Sequence, residues 1–431
     1  MNILLISHYA GAPQYGMEYR SYYMAREWVR QGHQVTVVGA SFSHLRRTQP
    51  AASEETLEGI HYLWLPTSTY EGNGLARVRT MFQFVTQVFR RAKAFAAQKP
   101  GIVIASSVYT FDIYPCRRIA RIAHAKLVYE IHDLWPLSPM VIGGYSKWHP
   151  FIWLLQRGEN YAYRHCDMIV SLLDKALPHA QRHGLTPNRF TCIPNGYLPE
   201  EWTDIPVSQS RDVARRVSTP ETEQYNKTAT AQLSILNYQL SIIQSLHQQG
   251  KIIIGFAGGH TQSTAMHILL HAAKQLQNRS DLAFLLVGDG PQKAELVELA
   301  DTLQLTNTHF LPPIPKSAIP LLLTQFDICY AGGVHSILHQ YGTSFNKITD
   351  YMLASKPIIF SVDEPHSLVQ RVGCGLQVEA ENIPQVAQAI LQLAALSPQQ
   401  RDEMGTKGHD YAVQHLQYPT LAKQFLQSVF N

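Results

Sequence analysis

The run Gly342-Thr-Ser344-Phe-Asn346-Lys347-Ile-Thr-Asp350 gathers a glycine, hydroxyls, an amide, an ammonium and a carboxylate. Small and hydroxyl residues ahead of a helix starting near Phe345 leave N–H groups beside Lys347, which suits a diphosphate. Asp350, four residues after Asn346 and three after Lys347, shares a helical face with both, although a plain surface ion pair has the same spacing. Val287-Gly288-Asp289-Gly290-Pro291 ends an apolar run and opens a helix, and Gly258-Gly259 follows another apolar run. Glycines allow close backbone approach to an anion at a helix N-terminus, and a tight strand-to-helix turn is the competing reading.

The first half offers a second set. His132-Asp133 directly follows the apolar run 126–131, and Gly16-Met17-Glu18 opens a helix that also carries Arg20. At the carboxyl edge of a parallel sheet these side chains meet a ligand, or else they cap the helix and anchor the loop. His8 ends the first apolar run with the same two readings. His335 and His339 are spaced i,i+4 with no third ligand in sight, so no metal site is expected.

These residues need strands that end beside one another. Residues 3–7, 34–38, 102–106, 126–131 and 168–172 are short apolar or β-branched runs separated by helix-period segments, and 252–257, 283–287, 328–331, 357–361 and 375–378 repeat the logic. This alternation predicts an α/β chain with two Rossmann-like, doubly wound parallel sheets. The boundaries are 1–196, a linker over 197–250, a second domain over 251–415, and a last helix over 416–431 that can cross back to the first domain. Within the linker, 217–232 reads as mobile, and 233–248 has helical apolar spacing.

Composition excludes several classes. The chain has 431 residues, is 45% hydrophobic and carries a net charge of +4, too mild to argue for nucleic acid. No apolar run approaches a membrane span, and the first residues read as a strand. Five scattered cysteines without Cys-x-x-Cys spacing point to a reducing cytoplasm.

Gly32-His33-Gln-Val-Thr-Val-Val, Ile193-Pro-Asn-Gly196, Val287-Gly-Asp-Gly-Pro-Gln-Lys293, Phe310-Leu-Pro-Pro-Ile-Pro-Lys316 and Asn346-Lys-Ile-Thr-Asp-Tyr-Met-Leu-Ala-Ser-Lys-Pro357 occur in this order. The chain thereby resembles retaining glycosyltransferases of family four, with the GT-B fold of two facing Rossmann-like domains. Tyr15-Gly-Met-Glu18-Tyr-Arg20, Ser41-Phe-Ser-His-Leu-Arg46 and Glu130-Ile-His-Asp-Leu-Trp-Pro136 make the first half similar to bacterial O-antigen, capsule and exopolysaccharide transferases.

The resemblance implies a nucleotide diphosphate-sugar donor, a saccharide acceptor carried on a polyprenyl diphosphate, and no metal or other cofactor. It places Gly258, Gly259, Gly288, Gly290, Ser344, Asn346 and Lys347 around the donor, with Asp350 on the ribose. It puts His132 at the donor sugar, and Gly16, Glu18, Arg20 and Asp133 on the acceptor side. The first acid of the family's Glu-x7-Glu motif falls on Gly342, and Gly258-Gly-His260 stands where relatives keep an Arg and a Lys. Those departures motivate two rivals, a weakened GT-B subunit that binds nucleotide or protein, and a nucleotide-sugar epimerase. Residues 74–99, with six cations and no acid, read either as a segment lying on the inner face of the plasma membrane or as a sheet-covering helix with Phe82, Phe84, Val85 and Phe89 in the core.

Overall fold

The computed structural model describes residues 1–16, 19–72, 74–203 and 223–430, with helical residues 203 and 223–234 described by backbone alone. The chain forms two compact units. Unit 1 contains 1–196, 340–344 and 417–431, and unit 2 contains 197–339 and 345–416.

Unit 1 is built on an eight-stranded sheet: β1 (Asn2–Ile6), β2 (Gln34–Ala40), β3 (Glu54–Leu57), β4 (Ile60–Leu65), β5 (Pro100–Ala105), β6 (Lys126–Ile131), β7 (Met168–Ser171) and β8 (Phe190–Cys192). The spatial order is β3-β4-β2-β1-β5-β6-β7-β8. Strands buried on both faces read as continuous apolar runs, as Ile3 to Ile6 and Ile102 to Ala105 do, all within 1% of full burial. The pair β3–β4 is antiparallel and its two turn residues, Glu58 and Gly59, have φ of 46° and 81°. The sequence pattern missed this hairpin because Glu-Gly is not among the usual short-turn pairs. The final helix, Tyr418–Phe430, lies on the helix Arg20–Arg30, where the Trp28 indole N–H donates to the Ala422 carbonyl at 3.0 Å and its ring meets Phe425.

Unit 2 carries a six-stranded sheet that is parallel throughout: β9 (Ile252–Ala257), β10 (Leu282–Val287), β11 (Thr308–Leu311), β12 (Ile328–Gly332), β13 (Ile358–Ser361) and β14 (Gly375–Val378), in the order β11-β10-β9-β12-β13-β14. One face packs on Tyr351, Met352 and Phe326, the other on Leu269, Ile390 and Leu393. The helix preceding β9 runs Glu223–Gln248, ten residues earlier than its apolar spacing indicates, and residues 204–222, which include part of the expected mobile segment, lie outside the described residues.

Candidate functional site

In unit 2 the loops after β9 and β10 run together. Gly258 N–H donates to the Val287 carbonyl at 3.0 Å, His260 N–H to the Asp289 carbonyl at 2.9 Å, and Gln292 N–H to the His260 carbonyl at 3.0 Å. A Cβ at Gly288 would stand 1.9 Å from the Gly258 oxygen, and one at Gly290 2.3 Å from the His260 oxygen. Both glycines also have positive φ, 145° and 158°, so their first duty is loop-to-loop contact. Lys293 turns back so that its ammonium donates to the Gly288 carbonyl at 2.7 Å.

Lys347 reaches the same loops from the first turn of the helix Asn346–Leu353, whose N-terminus has no side-chain cap. Its Nζ lies 4.5 Å from the Phe256 ring centroid, and a Cβ on Gly258 would be 3.7 Å from it. Among the described residues no carboxylate pairs with this ammonium, and burial pushes it down to about 8. The expected surface pair with Asp350 is therefore absent. Asp350, half-buried, is pushed up to about 6 by burial, with Glu201 adding to the rise and Lys316 opposing it. Lys316 and Glu201 pair with each other at 2.9 Å. His260 is fully buried, has no partner among the described residues on either ring nitrogen and is pushed down to about 4 by burial, reinforced by Lys293 and Lys347, so it is neutral. Gly259 adjoins Gly258 in the first loop, and Asn346 is exposed at the helix start.

In unit 1 the ends of β5 and β6 carry a charged chain. The Arg20 guanidinium donates to Glu130 Oε1 at 2.9 and 3.1 Å and to the carbonyls of Ile193 at 2.9 Å and Pro194 at 2.7 Å. Glu130 Oε2 accepts from the Ser106 hydroxyl at 2.6 Å, and His132 Nε2 lies 2.9 Å from that hydroxyl and 3.3 Å from Oε2. Burial opposes the Glu130 charge, but Arg20, His132 and Ser106 overcome it and hold the carboxyl far below the usual range. Arg20, expected on the acceptor side, is only 5% exposed and ties its helix to β6 and to the 193–195 loop. His132 is half-buried and presented at the sheet edge, with Asp133 exposed beside it. Gly16, at φ 72°, ends the short turn Pro13–Tyr15, and Glu18 lies outside the described residues. His8 is a buried loop anchor, its Nδ1 2.7 Å from the Tyr109 hydroxyl.

Two family models cover these same regions. The one described as "Glycosyl transferase 4-like domain" matches residues 15–196, and the one described as "Glycosyl transferases group 1" matches residues 251–395. The chain belongs to the GT-B glycosyltransferases of family-four type. It is 22% identical over 425 residues, 94% of this chain and 93% of the relative, to the Escherichia coli (strain K12) protein named "Putative colanic acid biosynthesis glycosyl transferase WcaI". A shorter stretch, 26% of this chain and 28% of the relative, is 30% identical to the 2-deoxystreptamine glucosyltransferase of Streptomyces kanamyceticus. Among solved structures, the sucrose-phosphate synthase of Thermosynechococcus elongatus superposes with a TM-score of 0.67 at 15% identity, covering 99% of this chain and 97% of that one. Anabaena HepE in complex with UDP-glucose gives 0.64 at 15% identity, with 100% and 99% covered.

In this glycosyltransferase the segment 340–344 groups with unit 1. Gly342 has φ 97°, and a Cβ there would stand 2.4 Å from Asp174 Oδ1, so the carboxylate of Asp174 lies where a side chain at 342 would begin. The Ser344 hydroxyl oxygen is buried without a partner among the described residues. His335 pairs with Asp363 at 2.6 Å, not with His339. Glu159, His179 and His183 come together, and only the i,i+4 spacing of the two histidines hinted at it in the sequence. The Gln156 amide nitrogen stands between them, 2.6 Å from Glu159 Oε2 and 3.1 Å from His183 Nδ1, so the cluster is a hydrogen-bonded knot joining two helices. Glu130, a charge inside an apolar run, was the one visible signal for the buried chain. Lys316 and Glu201, distant in sequence from Asp350, left none.

Proposed function

We propose that the chain is a retaining transferase that moves a hexosyl or N-acetylaminosugar unit from a nucleoside diphosphate onto a saccharide acceptor carried by a polyprenyl diphosphate. The observation that carries this reading is Lys347, a cation beside two glycine loops with no carboxylate partner among the described residues. A half-buried charge without a counter-ion is unfavourable unless a ligand completes it, and a diphosphate supplies the missing anion. Asp350 accepts from ribose hydroxyls, Gly258, Gly259, Gly288, Gly290, Ser344 and Asn346 line the donor, and His132 meets the donor sugar.

In this scheme the acceptor hydroxyl attacks the face from which the diphosphate departs. The C1–O bond to phosphate breaks as the new C1–O bond forms, and a phosphate oxygen takes the acceptor's proton. The protein supplies position and charge, and Lys347 balances the leaving group. No metal enters the scheme. The likeness to WcaI supports a role in polysaccharide biosynthesis, and we extend it to O-antigen or exopolysaccharide assembly at the inner face of the plasma membrane.

Calorimetric titration with UDP, GDP and their sugar conjugates tests the reading. One nucleotide binding in the micromolar range, lost in Lys347→Ala and Asp350→Ala, is the expected result. Absence of binding to all of them removes the basis for the proposal.

A further inference from the structure

The helix Leu75–Arg90 divides its apolar residues between two environments. Met81, Phe84 and Val88 are buried against unit 1, but Leu75 is 86% exposed, and Phe82 and Phe89, which the sheet-covering reading puts in the core, are exposed as well. A second group lies on the helices Leu137–Gly143 and Pro150–His165 and the turn between them. Ile142 is 78% exposed, Trp148 80% and Trp153 55%, with Val141, Tyr145 and Leu154 open beside them.

The two groups are neighbours. Met81 of the first helix and Ile152 and Leu155 of the third share one buried cluster with Tyr109 and Phe111. Phe82 stacks on Phe111 at 5.1 Å, and Phe111 meets Phe151 at 6.0 Å. Exposed large apolar side chains at this density on elements that share one buried cluster mark a docking surface rather than scattered exposure.

Charge selects the partner. Residues 74–99 hold six cations and no acid, and residues 134–158 hold Lys147 and Arg157 and no acid. Cations lie directly on the exposed rings: Arg118 over Phe89 at 4.5 Å, Arg157 over Trp153 at 4.8 Å and Lys147 over Trp148 at 5.2 Å. Indole rings flanked by long cations fit a bilayer interface, where the ring enters the acyl boundary and the cation stays among phosphates. No helix among the described residues is long and apolar enough to cross a membrane.

We propose that this face of unit 1 docks on an anionic bilayer, with Ile142, Trp148 and Trp153 as the inserted anchor and the exposed cations Arg79, Arg90, Arg91 and Lys93 on the headgroups. The proposal deepens the reading of a lipid-linked acceptor, on which it rests for its purpose but not for its test.

The full-length chain is mixed with vesicles of phosphatidylcholine, with and without phosphatidylglycerol, and followed by co-sedimentation and tryptophan emission. Binding only to the anionic vesicles is expected, with a blue shift and quenching by lipids brominated in the acyl chains. Ile142→Ser with Trp148→Ser should weaken partitioning roughly tenfold or more, and Arg90→Gln with Lys93→Gln should weaken it and reduce its salt dependence. Binding that ignores phosphatidylglycerol, or that survives Ile142→Ser with Trp148→Ser, overturns the proposal. So does self-association without lipid that the same pair abolishes. Nucleotide titration of the same samples separates the two readings: vesicle binding without nucleotide binding supports the anchor and counts against the transferase scheme alone.

Discussion

Lys347→Met should stabilise the free protein while weakening its hold on the donor. Burial holds this ammonium at about 8 instead of 10.5, and each pKa unit corresponds to about 1.4 kcal/mol, so the charged form carries up to about 3 kcal/mol of penalty. The folded pKa lies below the unfolded one, so the penalty is complete below pH 8, shrinks between pH 8 and 10.5, and vanishes above. Methionine removes the charge and keeps much of the apolar stem, but forfeits the contact with Phe256, worth about 1 kcal/mol. The expected net gain is about 1–2 kcal/mol at pH 7, fading toward pH 10.5. The lost charge-assisted bond to a diphosphate, about 2 kcal/mol, should weaken nucleotide binding roughly thirtyfold. Scanning calorimetry at pH 7 and pH 10, with and without nucleotide, reads both effects. A variant less stable than the parent at pH 7, or one that binds nucleotide unchanged, would refute the reasoning.

Nucleotide affinity should trace a bell in pH, weakening as Asp350 protonates below about 6 and as Lys347 deprotonates above about 8; titration calorimetry across that range checks it, and Asp350→Asn should flatten the acid limb. Gly288→Ala forces a Cβ to 1.9 Å from the Gly258 oxygen, so a loss of several kcal/mol, on the order of 3 or more, is expected in thermal unfolding. Arg20→Ala strands the buried Glu130 carboxylate and should lower stability by about 3–5 kcal/mol, and urea unfolding would show this. An Arg20 variant with parental stability and a raised acceptor KM would instead place Arg20 at the acceptor.

The two parallel sheets were legible because buried parallel strands such as Ile252–Ala257 are apolar on both faces and are followed by glycines. The β3–β4 hairpin, the three-residue β8 and the edge strand β11 were not, since a partly exposed edge strand carries polar residues such as Glu54, Glu55 and Thr308. For the candidate site, the spacing of Lys347 and Asp350 brought both side chains to the helix that meets the glycine loops, but it gave no sign that they stay unpaired. That follows from Phe256 and the backbone of Gly258, which come from a strand about ninety residues earlier. Arg20 failed in the opposite sense, because its partners Glu130 and the 193–195 loop exist only once the sheet closes. The exposure of Phe82 and Phe89 likewise depends on which face of their helix the sheet takes.

The central claim is that Lys347 receives the donor's diphosphate. Calorimetry of nucleotide binding at pH 8 in two buffers of different ionisation enthalpy measures protons taken up on binding. With Lys347 near 8 in the free protein, up to about half a proton should be taken up and none in Lys347→Met. Binding with no proton uptake, or uptake that persists in Lys347→Met, would contradict it.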